Sequence, residues 1–318
     1  MSNLLNGTLK SILIVGAMAI STSALAEWKP AGPINLMIAF KAGGGADTQA
    51  RMIASGLEKN RGWKIIPSNV TGKGGVVLAK KMKNHPNDGL TIGIAVTETF
   101  GYNMMASKKP GYSDKDFDYI TTTSGSQMGL VMKASSGFKT WDDVVKAGKS
   151  GKVFRFAAMS QKLADVAFLL QRKFGIKLNV INVRGGRGVM NGINAGDVDM
   201  GFGAGIQAKQ VKAGTMVNLL SGEPNRLGVS PNAPTLKEVG IPYAIGARFI
   251  FFAPRGIPGA ARTAYAKAIG DMVKDKSTPV GNFIAKRYGG ALVSSGKVLD
   301  DFMNQEKVIA KELMSLTN

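Results

Sequence analysis

Residues 34–51 read INLMIAFKAGGGADTQAR, an apolar strand that leads through three glycines into an amphipathic helix. The first N–H groups of a helix have no intrahelical acceptor and carry partial positive charge, so such a turn can bind an anion. Glycines add no Cβ that would keep a ligand oxygen away. The pattern is equally typical of a tight strand-to-helix turn without a ligand, so both interpretations stay open. The residues concerned are Gly43, Gly44, Gly45, Ala46, Asp47 and Thr48, of which Asp47 or Thr48 could cap the helix.

Residues 1–26 have the pattern of a cleaved secretory signal. Lys10 supplies the positive charge, residues 11–20 are apolar, and Ala24-Leu25-Ala26 supplies the small residues of a cleavage site. The apolar run is shorter than the ~20 residues that span a bilayer, which favours cleavage over an anchor. The chain contains no cysteine, so neither a disulfide nor a lipidated N-terminal cysteine is possible. We expect a soluble, exported, periplasmic protein.

The chain is strongly basic, with 41 Lys and Arg against 21 Asp and Glu. Positive charge favours anionic partners. The basic residues occur singly or in pairs such as Lys80-Lys81, without aromatic residues between them, and this argues against nucleic acid. Small anionic solutes and an ordinary solvated basic surface both explain the charge.

Strand and helix patterns alternate through the first two thirds of the chain. Residues 90–96 (LTIGIAV) are typical of a buried parallel strand, and Thr97 and Glu98 follow at its carboxyl end. Ligands of open α/β sheets bind outside the carboxyl ends of the strands. We therefore expect these two residues to face the same cleft as the glycine loop.

The small polar link Ser124-Gly125-Ser126 indicates a passage between two domains, because the α/β pattern starts again from Trp141. We assign residues 27–125 to a first domain, 126–228 to a second, and 229–318 to a segment that returns to the first. The sequence thus predicts an α/β fold of two domains, with hinge crossovers and a central cleft.

Five segments, taken in order, resemble the periplasmic solute receptors of tripartite tricarboxylate transporters, the Bug/TctC family. These are PINLMIAFKAGGGADTQAR, NHPNDGLTIGIA, NVRGGRGVMNGINAGDVDMGF, NAPTLKEVGIP and FFAPRGIP. The resemblance implies a Venus-flytrap receptor without enzymatic activity or cofactor, expected to be a monomer. Such a receptor closes on an organic carboxylate and delivers it to membrane permease subunits. It also implies that residues 42–48 and 158–161 hold a ligand carboxylate through backbone N–H groups and ordered water.

Some residues depart from the family pattern. The second-domain loop contains Ala158, Met159 and Ser160 where relatives are rich in glycine and serine and a histidine follows, so Met159 suggests an altered pocket wall. Arg184, before Gly185, replaces a frequent lysine, and its guanidinium can hold a carboxylate at two points. We favour Arg184 over Arg187 for the cleft. Gly203 stands where relatives often have an acidic residue, which removes a negative charge near the cleft. These changes suggest a ligand more negative than a simple amino acid.

The remaining candidates have two or more interpretations. Glu98 could repel an anion or accept from its amine or hydroxyl group. An unpaired charge at Arg248, within an apolar run, would be costly, so its partner is a ligand or an acid such as Asp199, unless it points outward. Asp199 could hold loop N–H groups or contact ligand. Ser124 and Ser126 could contact ligand or join the domains.

Catalysis has little support in this sequence. His85 is the single histidine and lies in a turn, and no cluster with metal-ligand spacing is present. The glycine loop lacks the third glycine of a dinucleotide motif, since Thr48 stands there, and lacks the Gly-Lys-Ser/Thr of a P-loop. A nucleotide-dependent enzyme and a sensory receptor of the same fold remain as alternatives.

Overall fold

A computed structural model describes residues 28–316 of the 318-residue chain. The predicted signal segment, residues 1–26, lies outside the described residues. The strands are β1 (Ile34–Ile38), β2 (Ile65–Asn69), β3 (Thr91–Val96), β4 (Phe117–Gly125), β5 (Gly129–Lys133), β6 (Val153–Ala158), β7 (Lys177–Asn182), β8 (Met200–Phe202), β9 (Met216–Ser221) and β10 (Arg248–Pro254). The helices are α1 (Gly45–Arg61), α2 (Val76–Met82), α3 (Tyr102–Met105), α4 (Trp141–Lys149), α5 (Gln161–Phe174), α6 (Gly185–Ala195), α7 (Ala208–Lys212), α8 (Gly259–Lys274), α9 (Pro279–Tyr288) and α10 (Gly296–Ser315).

The strands form two five-stranded sheets, one in each domain, which confirms the predicted division into two α/β units. The first sheet has the order β2-β1-β3-β10-β4, and the second has the order β7-β6-β8-β5-β9. In the first sheet β1 is parallel to β2 and β3, whereas β10 is antiparallel to β3 and β4. The parallel, buried strand predicted at residues 90–96 is β3. Its Gly93 is required, because a Cβ there would lie 2.7 Å from the Phe252 ring.

Local sequence explains where helices α1 and α4 begin and end. Helix α1 buries Ala50, Ile53 and Leu57 against the first sheet and ends at Gly62, whose φ of 68° is a left-handed conformation suited to glycine. Helix α4 opens with a capping box in which Thr140 and Asp143 bind each other's backbone N–H groups. Each helix packs its apolar residues into the core of its own domain.

The chain crosses between the domains twice through short segments. Residues 125–129 lead from β4 to β5, and the return is made just before β10. Leu236, Ile241 and Ile245 belong to the core of the second domain, and Ser221 bridges to Thr235. The return therefore lies between Ile245 and Arg248, and the expected boundary at residue 229 needs correction, because residues that look like a polar connection pack on the second sheet.

Helix α10 is also shared between the domains. Leu299 and Met303 of its first half pack in the first domain, while Ala310 and Leu313 of its second half pack in the second. The assignment of the whole C-terminal segment to the first domain is corrected accordingly. Among residues 28–316, no helix combines the length and apolar character needed to cross a bilayer.

Candidate functional site

The carboxyl-end loops of the two sheets meet in the cleft between the domains. Arg187 of α6 donates from Nη2 to the Gly43 carbonyl oxygen at 3.0 Å. Lys162 Nζ of α5 lies 3.1 Å from Glu98 Oε1, in the loop after β3. These contacts place the loops after β1 and β3 against the helix starts of the second domain.

Asp47 organises the glycine loop from inside the protein. Its carboxylate accepts hydrogen bonds from Gly43 N at 2.9 Å, Arg51 Nε at 2.9 Å and Asn69 Nδ2 at 2.8 Å. Burial raises the pKa of Asp47, but the hydrogen bonds from Asn69, Gly43 and Arg51 outweigh it and hold the pKa below its ordinary value. Asp47 is therefore ionised and acts as a structural hub: its carboxylate accepts hydrogen bonds from three protein groups that hold the loop together.

The start of α1 presents unused donors. Gly44 is the N-cap and supplies no side-chain cap, and Thr48 Oγ1 donates back to the Gly44 carbonyl at 2.9 Å. Within residues 28–316, no protein acceptor meets the N–H groups of Gly45, Ala46 and Asp47. These groups carry the positive end of the helix dipole. Free N–H groups at a helix N-terminus are a site at which an anionic group can bind.

Tyr288, at the end of α9, closes one side of this loop. A Cβ at Gly45 would overlap the Tyr288 hydroxyl, and a Cβ at Gly205 of the second domain would lie 2.8 Å from the tyrosine ring. Tyr288 is buried, and burial raises its pKa to about 12 despite the adjacent Arg287. A neutral phenol thus touches both walls of the cleft.

The second wall is formed by the loop after β6. Ala158 ends the strand and accepts from Val183 N at 2.9 Å, and Met159 packs against two apolar clusters. Ser160 is the N-cap of α5, yet its side chain does not cap the helix. Its buried Oγ has no hydrogen-bond partner among the described residues. Such a hydroxyl is costly unless something else binds it.

Thr97 and Glu98 both have protein partners. Thr97 Oγ1 accepts from Arg248 N at 3.2 Å. The Glu98 carboxylate is paired with Lys162, and both side chains are buried. The charge of Glu98 is therefore compensated within the protein, an arrangement that sequence reasoning did not consider.

Arg248 is half-buried and has no carboxylate partner among the described residues. Its Nη1 donates to Ser294 Oγ at 3.1 Å, and its guanidinium carbon lies 3.9 Å from the centre of the Phe302 ring. Burial lowers the pKa of Arg248, and Glu306 and Glu223 act in the opposite direction. Stacking on Phe302 explains how the charge is tolerated within an apolar strand.

Asp199 is not the partner of Arg248, and this expectation is wrong. Asp199 accepts from Arg155 N at 2.7 Å and from Arg155 Nη2 at 2.7 Å. It lies just before β8, at the amino end of a strand, whereas the cleft lies at the carboxyl ends. Its inclusion among ligand contacts is corrected for the same reason.

Ser124 and Ser126 hold protein segments together. Ser124 Oγ lies 3.4 Å from Gln49 Oε1. Ser126 Oγ accepts from Ala247 N at 2.8 Å and lies 3.4 Å from Glu223 Oε1, while Ser126 N donates to the Ala247 carbonyl at 2.7 Å. Ser126 thereby links the two crossing segments, which favours the hinge interpretation.

At the start of α6, Arg184 is the exposed N-cap and its guanidinium binds no acceptor in residues 28–316. Gly185 follows with φ of 66°. The arginine that crosses the cleft is Arg187, which the sequence ranked below Arg184. Long side chains on a helix point back over the preceding turn, and this rule was the available signal. Lys162 and Tyr288 were also missed, since neither belongs to a recognisable motif.

Comparison with known proteins agrees with this architecture. Residues 49–277 match the model of the tripartite tricarboxylate transporter family receptor, TctC. A UPF0065 protein from the gbd 5′ region of Cupriavidus necator is 29% identical over 246 residues, covering 76% of this chain and 75% of the relative.

Solved structures show the same fold. R. palustris Rpa4515 with adipate superposes with a TM-score of 0.79 at 20% identity, covering 90% of this chain and 97% of that one. Periplasmic binding protein BugD gives 0.79 at 20% identity, with 91% and 98% covered. MatC from Rhodopseudomonas palustris with bound malate gives 0.77 at 21% identity, with 90% and 99% covered. The predicted two-domain Venus-flytrap fold is confirmed, and the chain belongs to the tripartite tricarboxylate transporter receptor family.

Proposed function

We propose that this protein is a periplasmic receptor that closes on a small organic carboxylate and delivers it to the permease subunits of a tripartite tricarboxylate transporter. The observation that carries the proposal is the pair of unused donor sets on the two walls of the cleft. One is the N–H group set of Gly45, Ala46 and Asp47, and the other is the unpartnered hydroxyl of Ser160. A carboxylate has two oxygens, so it can accept hydrogen bonds from both donor sets at once.

The first turn of α5 adds to the second set. Leu163 N donates to the Ser160 carbonyl at 3.2 Å, whereas the N–H groups of Gln161 and Lys162 have no acceptor in the described part of the chain. Two helices of 17 and 14 residues therefore direct their positive ends toward one cleft. Charge-assisted hydrogen bonds of this kind are stronger than neutral ones.

The charges around the cleft also favour an anion. Arg184 and Arg187 are exposed at the start of α6, and the nearby carboxylates of Asp47 and Glu98 are neutralised by protein donors. We propose direct ligand contacts for Gly45, Ala46, Asp47, Ser160 and Arg184, with Gly43, Gly44, Ala158, Met159 and Gly185 shaping the wall. Thr48, Thr97, Ser124, Ser126 and Arg248 position these groups through their protein partners.

The ligands of structural relatives support a carboxylate class. Adipate and malate, named for two of those proteins, are both dicarboxylates. The sequences of these two proteins are only about one fifth identical to this chain. Their ligands therefore indicate which class of ligand to test, and the carbon skeleton stays open. Export through the signal-like residues 1–26 and action as a monomer belong to the same proposal.

The experiment is a binding screen on the mature chain, residues 27–318. Adipate, malate, citrate, benzoate, aspartate and NAD are each added while thermal unfolding is followed, with adipamide as an uncharged match for adipate. A ligand at a thousand times its Kd stabilises the folded state by about 4 kcal/mol, so a binding carboxylate raises Tm by several degrees. Stabilisation by NAD alone, with none of the carboxylates active, would overturn the receptor in favour of a nucleotide-dependent enzyme.

A further inference from the structure

The two domains share a buried ion pair in addition to the contact of Arg187 with Gly43. Glu98 of the first domain and Lys162 of the second have exposed side-chain fractions of only 7% and 5%, and their charged atoms are 3.1 Å apart. By contrast, Arg187 and Gly43 are both exposed, so their hydrogen bond lies at the rim. The interdomain contacts thus comprise a buried set and an exposed set.

Lys162 joins more than two segments. Its Nζ also donates to the Ile245 carbonyl at 3.2 Å, in the stretch where the chain returns to the first domain. One turn further along α5, Asp165 accepts a hydrogen bond from the Tyr102 hydroxyl. Tyr102 begins the short helix α3, which follows β3 of the first domain, yet it is buried in the core of the second domain. The region around Lys162 is therefore packed like an interior.

The C-terminal helix encloses the same region. Glu306 and Ala310 of α10, together with Thr97, Glu98, Tyr102 and Lys162, line a cavity of about 10 Å³. That volume is far below the roughly 300 Å³ of small-molecule pockets, so an organic acid does not bind here. The ion pair is consequently distinct from the proposed ligand site, although Thr97 and Ser160 lie one and two residues from its members.

We propose that Glu98 and Lys162 form a buried, noncovalent connection between the domains that positions Ser160 and the start of α5 relative to Thr97. The positioning role rests on the proposed carboxylate function, while the connection itself does not. The cleft opens at the exposed Arg187–Gly43 rim, and the buried pair with α10 stays assembled. Separating the two would take the buried carboxylate of Glu98 away from its cation, which is strongly unfavourable.

Spin labels test the connection without any ligand. Because the chain has no cysteine, Lys59→Cys and Ala195→Cys, on exposed positions of α1 and α6, place one label in each domain. Lys162→Met and Glu98→Gln each remove one charge of the pair, and we expect both to broaden the interdomain distance distribution toward longer distances. Lys267→Met removes an exposed lysine paired with Asp271 within α8 and should leave the distribution unchanged.

Binding tests the positioning role. Lys162→Met should weaken carboxylate binding at least tenfold, and Lys162→Arg, which keeps the charge, should recover most of it. If Lys162→Met does not fold, Glu98→Gln takes its place in both measurements. Unchanged distance distributions in the variants would overturn the connection, and unchanged affinity with altered distances would overturn the positioning role. Failure of every carboxylate to bind the unmodified protein counts against the proposed function alone, since the distance measurement needs no ligand.

Discussion

Arg187 Nη2 donates to the carbonyl oxygen of Gly43 at 3.0 Å and so joins a helix of the second domain to the glycine loop of the first. Gly43 also donates its N–H to Asp47 Oδ2 at 2.9 Å. One glycine therefore connects the rim of the cleft to the buried hub of the loop. Its φ of 72° is readily adopted only by glycine, and a Cβ there would lie 2.9 Å from Arg187 Nη2.

Arg187→Ala should accelerate ligand release more than it slows association. The hydrogen bond spans the closed rim and is exposed, so its removal should cost less than about 1 kcal/mol of unfolding free energy. Stopped-flow measurements with a bound carboxylate should show a three- to tenfold faster dissociation rate. Arg172→Ala is the matched control, because Arg172 is an exposed arginine of α5 that has no partner within residues 28–316. Equal release rates for both variants and the unmodified protein would remove Arg187 from the closing contact.

Asp47→Asn should destabilise the first domain and weaken carboxylate binding together. The substitution replaces an ionised acceptor of three hydrogen bonds with a neutral amide, at an expected cost of about 2 kcal/mol near neutral pH. Because the folded pKa of Asp47 lies below its ordinary value of 3.8, the stabilisation is present above that value and is lost as the pH falls through the folded pKa.

Urea unfolding at pH 7 and near pH 3 measures this effect. The difference between Asp47→Asn and the unmodified protein should shrink at the lower pH. Asp301→Asn disrupts an exposed pair with Lys297 within α10 and should cost less than about 0.5 kcal/mol. A loss for Asp47→Asn no larger than that of this control would contradict the hub role.

Gly45→Ala should destabilise the protein because its Cβ overlaps the Tyr288 hydroxyl. Overpacking of this kind costs about 1–3 kcal/mol. Tyr288→Phe removes the hydroxyl, so the double variant should be more stable than the sum of the two single changes predicts. Thermal unfolding of the four proteins gives the coupling directly. Simple additivity would show that Tyr288 and Gly45 do not restrict each other.

Ser160→Ala should weaken carboxylate binding without lowering the stability of the protein. Its buried hydroxyl has no partner among the described residues, so removing it should leave the free energy of unfolding unchanged or higher, while carboxylate affinity falls about tenfold. Thr140→Ala provides the opposite case. Thr140 caps α4 by accepting from Asp143 N, and its loss should cost about 1 kcal/mol without changing affinity. Calorimetric titration and urea unfolding of both variants check the contrast.

Much of the first domain could be predicted because its elements have clear local signals. Residues 34–61 combine an apolar run, glycines and a helical pattern, and these predicted β1 and α1 nearly in full. The uncharged run at residues 90–96 predicted β3. Strand β9 and helix α9 were missed. Helix α9 is only 10 residues long and contains Gly281, so its local pattern is weak, and β9 is held in place by pairing with β5.

The cleft contacts depend on tertiary structure that no local pattern specifies. Lys162, in the first turn of α5, shares the buried stripe of Val166 and Leu169, but no local pattern shows that its charge meets Glu98 in the loop after β3. Asp199 and Arg155 are far apart along the chain and meet only because β6 and β8 are neighbours. A sequence can therefore indicate which loops reach the cleft, while the partner of each charge depends on how the two domains pack.

The hinge contains a partly buried acid, Glu223, whose raised pKa predicts a pH-dependent stability. Glu223 Oε1 accepts from Met128 N at 2.7 Å and lies 3.4 Å from Ser126 Oγ, between the two crossing segments. Burial raises the pKa of Glu223 above 4.5, although Met128, Ser126 and Lys162 lower it, and Glu98 raises it further. Arg248 also faces this carboxylate.

The folded protein therefore retains a proton on Glu223 at pH values where the unfolded chain has released it. Stability consequently falls as the pH rises from about 4.5 through the folded pKa. Glu223→Gln keeps an acceptor for Met128 and Ser126 without the charge, so its stability relative to the unmodified protein should be greater at pH 8 than at pH 5. Glu238→Gln is the control, because hydrogen bonding from Arg226 lowers the pKa of Glu238 to about 2 and keeps it ionised at both pH values. Urea unfolding at the two pH values should show the gain only for Glu223→Gln, and an equal difference at both would mean that the hinge holds Glu223 ionised throughout.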